Sequence, residues 1–190
     1  RRTTKPPRSS ADRSAEAKRR RKSDLSDDSR TRFLEAADRV FVTEGYKGAT
    51  IRAITKKANA SLATLSRHWP DKQELFAEVF ARHFDPIHRQ QSALLDEVES
   101  AAEEIGQDPS VLAVLKAFYG PAIGNSDTQS QSLQRAVYCR ALVEPSSEAR
   151  RIVAELIGDV RGRVIRLLRR ALPMLSEEEF FLAINMVMGV

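Results

Sequence analysis

The stretch "TIRAITKKANASLATLSRHWPDKQEL", Thr50 to Leu75, holds two short runs of helix-like spacing separated at Asn59 and Ala60, and a third that opens at Asp71. Thr50 is placed to cap one helix as far as Ala58 and Ser61 a second as far as Trp69. Asp71, with Glu74 three residues on, forms a capping-box pattern for another. Pro70 disfavours helical backbone at the residue before it, so the last two helices are sharply separated. Helices of about eight residues are not stable by themselves, because isolated helices shorter than ~12 to 15 residues are marginal in water. They need a support, and the preceding segment supplies one. Phe33, Leu34, Ala37, Val40 and Phe41 fall on a single helical face. Acidic Asp27 and Asp28 near the start, and Gly45 as a stop, bound that first helix to about Asp28–Glu44. Ile51, Ile54, Ala58, Leu65 and Trp69 then make the inward faces of the short pair. Asn59, at the turn, suits a left-handed backbone position that would strain most residues. The pattern is a helix-turn-helix. Its second helix has the composition that a major groove demands: Ser61, Ala63 and Ser66 are small enough for close approach, and Arg67 is long enough to reach guanine O6 and N7.

Outward from this motif nearly every segment reads as helix. Apolar residues continue from Lys72 through Leu75, Phe76, Val79, Phe80 and Phe84 until Pro86 kinks or breaks the run, which resumes to about Ala102. Asp108 and Pro109 open a helix through Tyr119, and a further one covers about Ser130 to Val143. Pro145 starts a long amphipathic helix with Ile152, Leu156, Val160, Val164, Leu167 and Leu168, and Ser176 with Glu179 caps a last one. No strand alternation and no internal repeat is evident. The expected fold is all-α, with an N-terminal three-helix helix-turn-helix domain at 26–72, an all-helical domain at 73–190, and a basic arm at 1–25.

Of the 190 residues, 42% are apolar, which is enough for a real core. No apolar run approaches the ~18 residues of a membrane span, and no apolar signal region follows the basic start. We therefore expect a soluble, unexported protein. The lone cysteine, Cys139, excludes an internal disulfide framework and a Cys-based zinc site, which fits a reducing cytoplasm. The chain starts at Arg1 rather than Met, as a segment of a longer product would. The net charge of +5 is uneven: residues 1–25 carry ten Lys/Arg against three acids, residues 26–72 are net +3, and the remainder is net −5. A positive field confined to the first third points to a polyanion partner for it. The arm, with Pro6, Pro7 and several Ser, buries no apolar surface and is expected to be disordered. Lys56, Lys57, Arg67 and Lys72 continue the basic character around the motif.

The run "FLEAADRVFVTEGYKGATIRAITKKANASLATLSRHWPDKQELFAEVF", with its first helix, Gly45-Tyr46 turn and Thr50 cap in order, resembles the N-terminal domain of the TetR family of bacterial repressors. Carried over position by position, the resemblance implies phosphate contacts from Thr50, Thr64, Ser66, His68 and Lys72, and base-edge contacts from Leu62, Ala63 and Arg67. Elementary physics agrees for Lys72, Thr50 and the exposed helix N-termini, which suit anions. The chain departs from the family pattern where Leu62-Ala63 replace Lys-Gly, Ser66 replaces Tyr and Asn59 replaces Gly. The lost Tyr removes a phosphate contact, and Leu62 exchanges a cation for an apolar reader of the thymine methyl.

For residues 73–190 the resemblance implies an effector-binding and dimerisation domain, with a ligand cavity between helices four to seven and the last helices paired across a two-fold. Phe84, Phe118, Tyr119, Tyr138 and Arg140 are its candidate wall residues, although aromatic residues at helical spacing also suit a plain core. Phe180, Phe181, Ile184, Val187 and Met188 on the last helix are the candidate dimer interface, and a further helix is expected beyond Val190. Cys139 suits either an oxidant sensor or an inert small hydrophobe. His83, Asp85 and His88 straddle Pro86 with poor metal geometry. The arginines of "RRIVAELIGDVRGRVIRLLRR" suit an acidic effector, a second DNA contact or a solvated face. No catalytic triad, Gly-rich phosphate loop or paired carboxylate pattern supports an enzyme, and no cofactor or metal is expected. The resulting expectation is a regulator, a repressor that binds a palindromic operator in double-stranded DNA as a homodimer and is released by a small-molecule effector. Its place is the bacterial cytoplasm, at the nucleoid, away from any membrane. The alternative is an architectural or interaction protein that uses its basic arm without specific repression.

Overall fold

A computed structural model describes residues 10–123 and 128–188, with side chains from Asp27 onward except those at 129 and 130. Eight helices are present among the described residues, and no strand. They are α1 (Ser10–Gly48), α2 (Ile51–Lys57), α3 (Leu62–Leu65), α4 (Lys72–Glu104), α5 (Val111–Ile123), α6 (Gln129–Leu142), α7 (Ser147–Ala171) and α8 (Glu177–Met188).

The caps act as their residue types dictate. Thr50 Oγ1 accepts from the Ala53 N–H at 3.1 Å, Ser61 Oγ from Thr64 at 3.1 Å, and Asp71 Oδ1 from Glu74 at 2.9 Å. Asn59 has φ 49°, the left-handed value expected at the turn. Ser176 and Glu179 bond reciprocally at the head of α8, through Ser176 N to Glu179 Oε2 at 2.9 Å and Glu179 N to Ser176 Oγ at 3.3 Å.

Three boundaries differ from expectation. The first helix begins at Ser10, not near Asp28, so from Ser10 the arm is helix rather than disordered; residues 1–9 lie outside the described residues. Low apolar content argues against a core, but Ala, Glu, Lys and Arg in this stretch are among the best helix formers. The packed part of α1 has already met the cost of nucleation, so extension needs only one residue at a time. The second difference is α3, which is regular only over Leu62–Leu65. Tighter bonds follow, His68 N to Leu65 O at 2.9 Å and Arg67 N to Thr64 O at 3.3 Å, as the chain winds down before Pro70. Third, α4 runs unbroken through Pro86. Gln134 Nε2 donates to the His83 carbonyl in the turn before the proline, at 3.2 Å.

Two apolar cores result. The first fills the space between α1, α2, α3, the first half of α4, and α6 and α7 with Phe33, Phe41, Tyr46, Trp69, Phe76 and Phe80. Phe41 meets Phe76 and Phe80 edge-on with ring centres 5.6 and 5.0 Å apart. Each such side chain contributes about 1.5 to 3 kcal/mol by leaving water. Asp38, fully buried in this core, is matched by His83 Nε2 at 2.8 Å and by the Arg82 guanidinium. The second core joins Leu95 of α4 to Val114, Val160, Val164, Leu167, Phe180 and Ile184. Gln91, a fully buried polar residue, separates the two along α4.

Candidate nucleic-acid interface

On α3 and the turns after it, Leu65 and Trp69 are buried while Leu62, Ala63, Ser66 and Arg67 are exposed, Leu62 to 59%. Trp69 pins this face from below. Its Nε1–H donates to Glu78 Oε2 at 2.8 Å, the same oxygen takes Arg30 at 2.7 Å, and the indole stands edge-on to Phe33 at 6.2 Å. The three base-reading candidates, Leu62, Ala63 and Arg67, are therefore brought together on one exposed surface beside Ser66.

The phosphate candidates divide. Thr50 is exposed at the head of α2; its hydroxyl oxygen serves as the cap, which leaves the O–H proton to donate outward. Thr64 is half-buried and shares a hydrogen bond with Ser61 Oγ at 2.8 Å. His68 is turned away from the exposed face. Its Nε2 is bonded to Ser29 Oγ at 2.9 Å and its ring lies 6.4 Å from Phe33 and 5.3 Å from Trp69. The tight turn before Pro70 rotates the ring onto α1, which the position-by-position resemblance does not anticipate. Lys72 is half-buried at the start of α4, with Nζ 4.2 Å above the Tyr46 ring and donating to the Tyr46 carbonyl. Burial lowers its pKa from the ordinary value, and the carboxylates of Glu148 and Glu144 oppose that shift.

The candidate effector residues are placed differently from the expectation. Phe84 and Tyr138 pack with tilted rings, centres 4.4 Å apart, inside the first core, and burial raises the pKa of the Tyr138 phenol. Phe118 and Tyr119 meet edge-on at 4.9 Å, and the Tyr119 hydroxyl donates to the Val187 carbonyl of α8. Arg140 lies exposed, with Nε 3.6 Å from Glu144 Oε2. None of the five lines either of the two cavities that follow the α4–α5 seam. One, about 650 Å³, is an open groove along Leu94, Val98, Ala101, Ile105, Ala113 and Ala117. The other, about 210 Å³, is bounded by Gln90, Gly120, Pro121, Gln131, Gln134 and Arg135. Phe84 and Tyr138 are buried in the first core, Phe118 packs partly buried against the second, and Tyr119 is half-buried. Between the cavities Gln91 Nε2 donates to the Phe118 carbonyl at 2.6 Å, and its Oε1 is buried with no partner. A glutamine on the apolar stripe Phe84, Ile87, Gln91, Leu95 is a polar interruption that the sequence carries and that aromatic residues alone do not reveal.

On α8, Phe180 and Ile184 are turned into the protomer's own second core, whereas Phe181 (65% exposed) and Val187 face outward with Leu182 and Met186. The arginines of α7 are not a plain solvated face: Arg163 binds Asp96 at 2.6 Å and also Glu99, strapping α7 to α4. Cys139 is exposed. His83 is committed to Asp38, and among the described residues no group of three or more His, Cys, Asp or Glu converges as a metal site would need. Among the described residues no helix is long and apolar enough to cross a membrane.

Two short capped helices that present a small-residue, Arg-bearing face, mounted on a helical domain, define a helix-turn-helix transcriptional regulator. Residues 33–79 match the family described as bacterial regulatory proteins, tetR family, and residues 116–190 match the tetracyclin repressor-like C-terminal domain. The chain belongs to the TetR family. It is 38% identical over 61 residues to the transcriptional activator FasR of Mycolicibacterium smegmatis, covering 32% of this chain and 28% of that protein. It is 26% identical over 148 residues to the transcriptional repressor KstR of Rhodococcus jostii, covering 69% and 68%. The chain spans only 28% to 39% of the length of the first curated relatives it matches. A solved structure from Clostridium perfringens, a proposed fatty acid metabolism regulator, superposes with a TM-score of 0.56 at 22% identity, over 83% of this chain and 80% of that one. At that identity the likeness speaks for the fold.

Proposed function

We propose that the chain is a sequence-specific repressor that binds a palindromic operator as a homodimer and leaves it when a small molecule enters the second domain. The observation that carries this reading is the exposed quartet Leu62, Ala63, Ser66 and Arg67, held rigid from beneath by Leu65 and Trp69. Leu62, Ala63 and Arg67 meet base edges, with Arg67 on guanine. Thr50, Thr64, Ser66 and Lys72 meet phosphates. His68 holds the face against α1 through Ser29 instead of touching DNA. The dimer forms through the outward side of α8, chiefly Phe181, Leu182, Met186 and Val187, and places two reading faces about one DNA turn, ~34 to 36 Å, apart or a near multiple. The effector lies along the α4–α5 seam, and α4 carries its displacement to the DNA end. The basic residues of 1–25 add sequence-independent attraction, and their removal flattens the salt dependence of binding. The protein works in the cytoplasm on nucleoid DNA, and regulation rather than catalysis is its task.

Selection of duplexes from random-sequence DNA by the full chain tests this reading. The expected product is a two-fold repeat bound in large excess over random DNA. Recovery of unrelated sequences, with affinity set by salt alone, would instead fit an architectural protein.

A further inference from the structure

Tyr46 follows the kink in α1 where Gly45 takes φ 69° and ψ 178°. This backbone turns the Tyr46 N–H out of the helical ladder and toward the link between α6 and α7. There Glu144 Oε2 accepts it at 3.2 Å. The carbonyl of the same residue accepts from Lys72 Nζ, which also covers the Tyr46 ring. Tyr46 is 1% exposed and Glu144 4%. One buried residue is thus held at its N–H by a carboxylate of the second domain and at its C=O by the ammonium that opens α4.

Hydrogen bonds in series polarise one another, and a buried carboxylate has a long reach in a weakly screening interior. Glu144 therefore acts on Lys72 in two ways. It orders the backbone that carries the Tyr46 carbonyl, and together with Glu148 it favours the charged ammonium against burial. An ammonium has three donors, so the bond to Tyr46 leaves others for a second acceptor.

We propose that Glu144 is a positioning residue for DNA binding: through Tyr46 it fixes the Lys72 ammonium at the start of α4, where the remaining donors meet a DNA phosphate. This rests on the Lys72 phosphate contact proposed above. It makes the α6–α7 link, far from the reading face, a point through which the second domain sets the affinity of the head.

The test is a double-mutant cycle on the full chain, by fluorescence anisotropy against the selected duplex and a random-sequence duplex across a salt series, with thermal midpoints alongside. Lys72→Ala is expected to weaken both duplexes alike and to lower the slope of log affinity on log salt by about 0.9 per subunit, about 1.8 for the dimer. Glu144→Asp, one methylene short of the Tyr46 N–H, and Glu144→Leu are expected to weaken both duplexes by about three- to tenfold. On the Lys72→Ala background neither should add any loss. Glu144→Gln, whose amide oxygen still accepts but which lacks the charge, should lose less than Glu144→Asp and recover most of the binding of the unmodified chain. If Glu144→Leu does not fold, Glu144→Asp and Glu144→Gln still close the cycle. Equal losses from Glu144→Asp with and without Lys72 would overturn the proposal, because Glu144 would then act elsewhere. An unchanged affinity for Lys72→Ala would instead remove the phosphate contact, which is a separate failure.

Discussion

Leu75 and Leu95 lie on the same helix, five turns and a little more apart, and both are fully buried. Leu75 belongs to a core filled largely by aromatic rings and the matched Asp38 pair. Leu95 belongs to a second core flanked by an open groove, by exposed Ile105 and Leu112, and by a glutamine oxygen without a partner. The same side chain thus packs among aromatic rings at one end of α4 and, at the other, in a core that borders an open groove. The contrast suits the division of labour in a regulator. A reading face is useful only if its side chains stay where the groove needs them, whereas a ligand domain must retain space that a ligand can fill.

The largest expected effect follows from this pair. Leu75→Ala should cost about 4 to 5 kcal/mol and Leu95→Ala about 2 to 3, because the second site can relax into its groove and leave less cavity. Denaturant titration of both variants measures the difference. Equal costs would mean that the two ends of α4 are packed alike. Next comes the joint between them. Gly45→Ala puts an L-residue at φ 69° and a methyl 2.6 Å from the Arg140 guanidinium, at a cost of about 1 to 3 kcal/mol. The same titration reads it, and a cost near zero would show that the kink is not held by its neighbours.

Gln91 sharpens the comparison at its boundary. Gln91→Met removes the unpartnered oxygen together with the bonds to the Phe118 carbonyl and the buried Tyr138 hydroxyl, so the net cost should be about 1 to 3 kcal/mol. A loss of several kcal/mol would show that the oxygen has a partner after all. The smallest effect belongs to His88, whose pKa burial holds below the ordinary 6.5, with Asp85 opposing. The unfolded chain takes up this proton first as pH falls, so stability should decline as pH drops through about 6.5 and level off once folded His88 is also protonated. His88→Gln should abolish that increment in a thermal-shift series over pH.

The head was legible because its signals are local. Thr50, Ser61, Asp71 and Asn59 each act within three or four residues of themselves, so their caps and the left-handed turn follow from residue type. What escaped was set at a distance. His68 is drawn onto Ser29 of α1, 39 residues away, and Glu144 onto Tyr46, 98 residues away. No spacing rule reaches that far. Phe84 and Tyr138, candidate cavity walls, pack in the first core, because a ring says only that it will be covered, not whether by protein or by ligand. The helical extension from Ser10 shows a further limit, since charge density argues about cores while helix propagation depends on backbone propensity.

The claim on which the rest depends is that the face above Leu65 and Trp69 reads bases. Competition binding of Arg67→Ala over every single-base variant of the selected duplex tests it most directly. The expected result is a loss of about 1 to 3 kcal/mol per half-site on the best site and a flattened preference at one position in each half-site, with all other positions unchanged. An equal loss on every variant, with the preference profile intact, would contradict it and leave Arg67 as a phosphate contact.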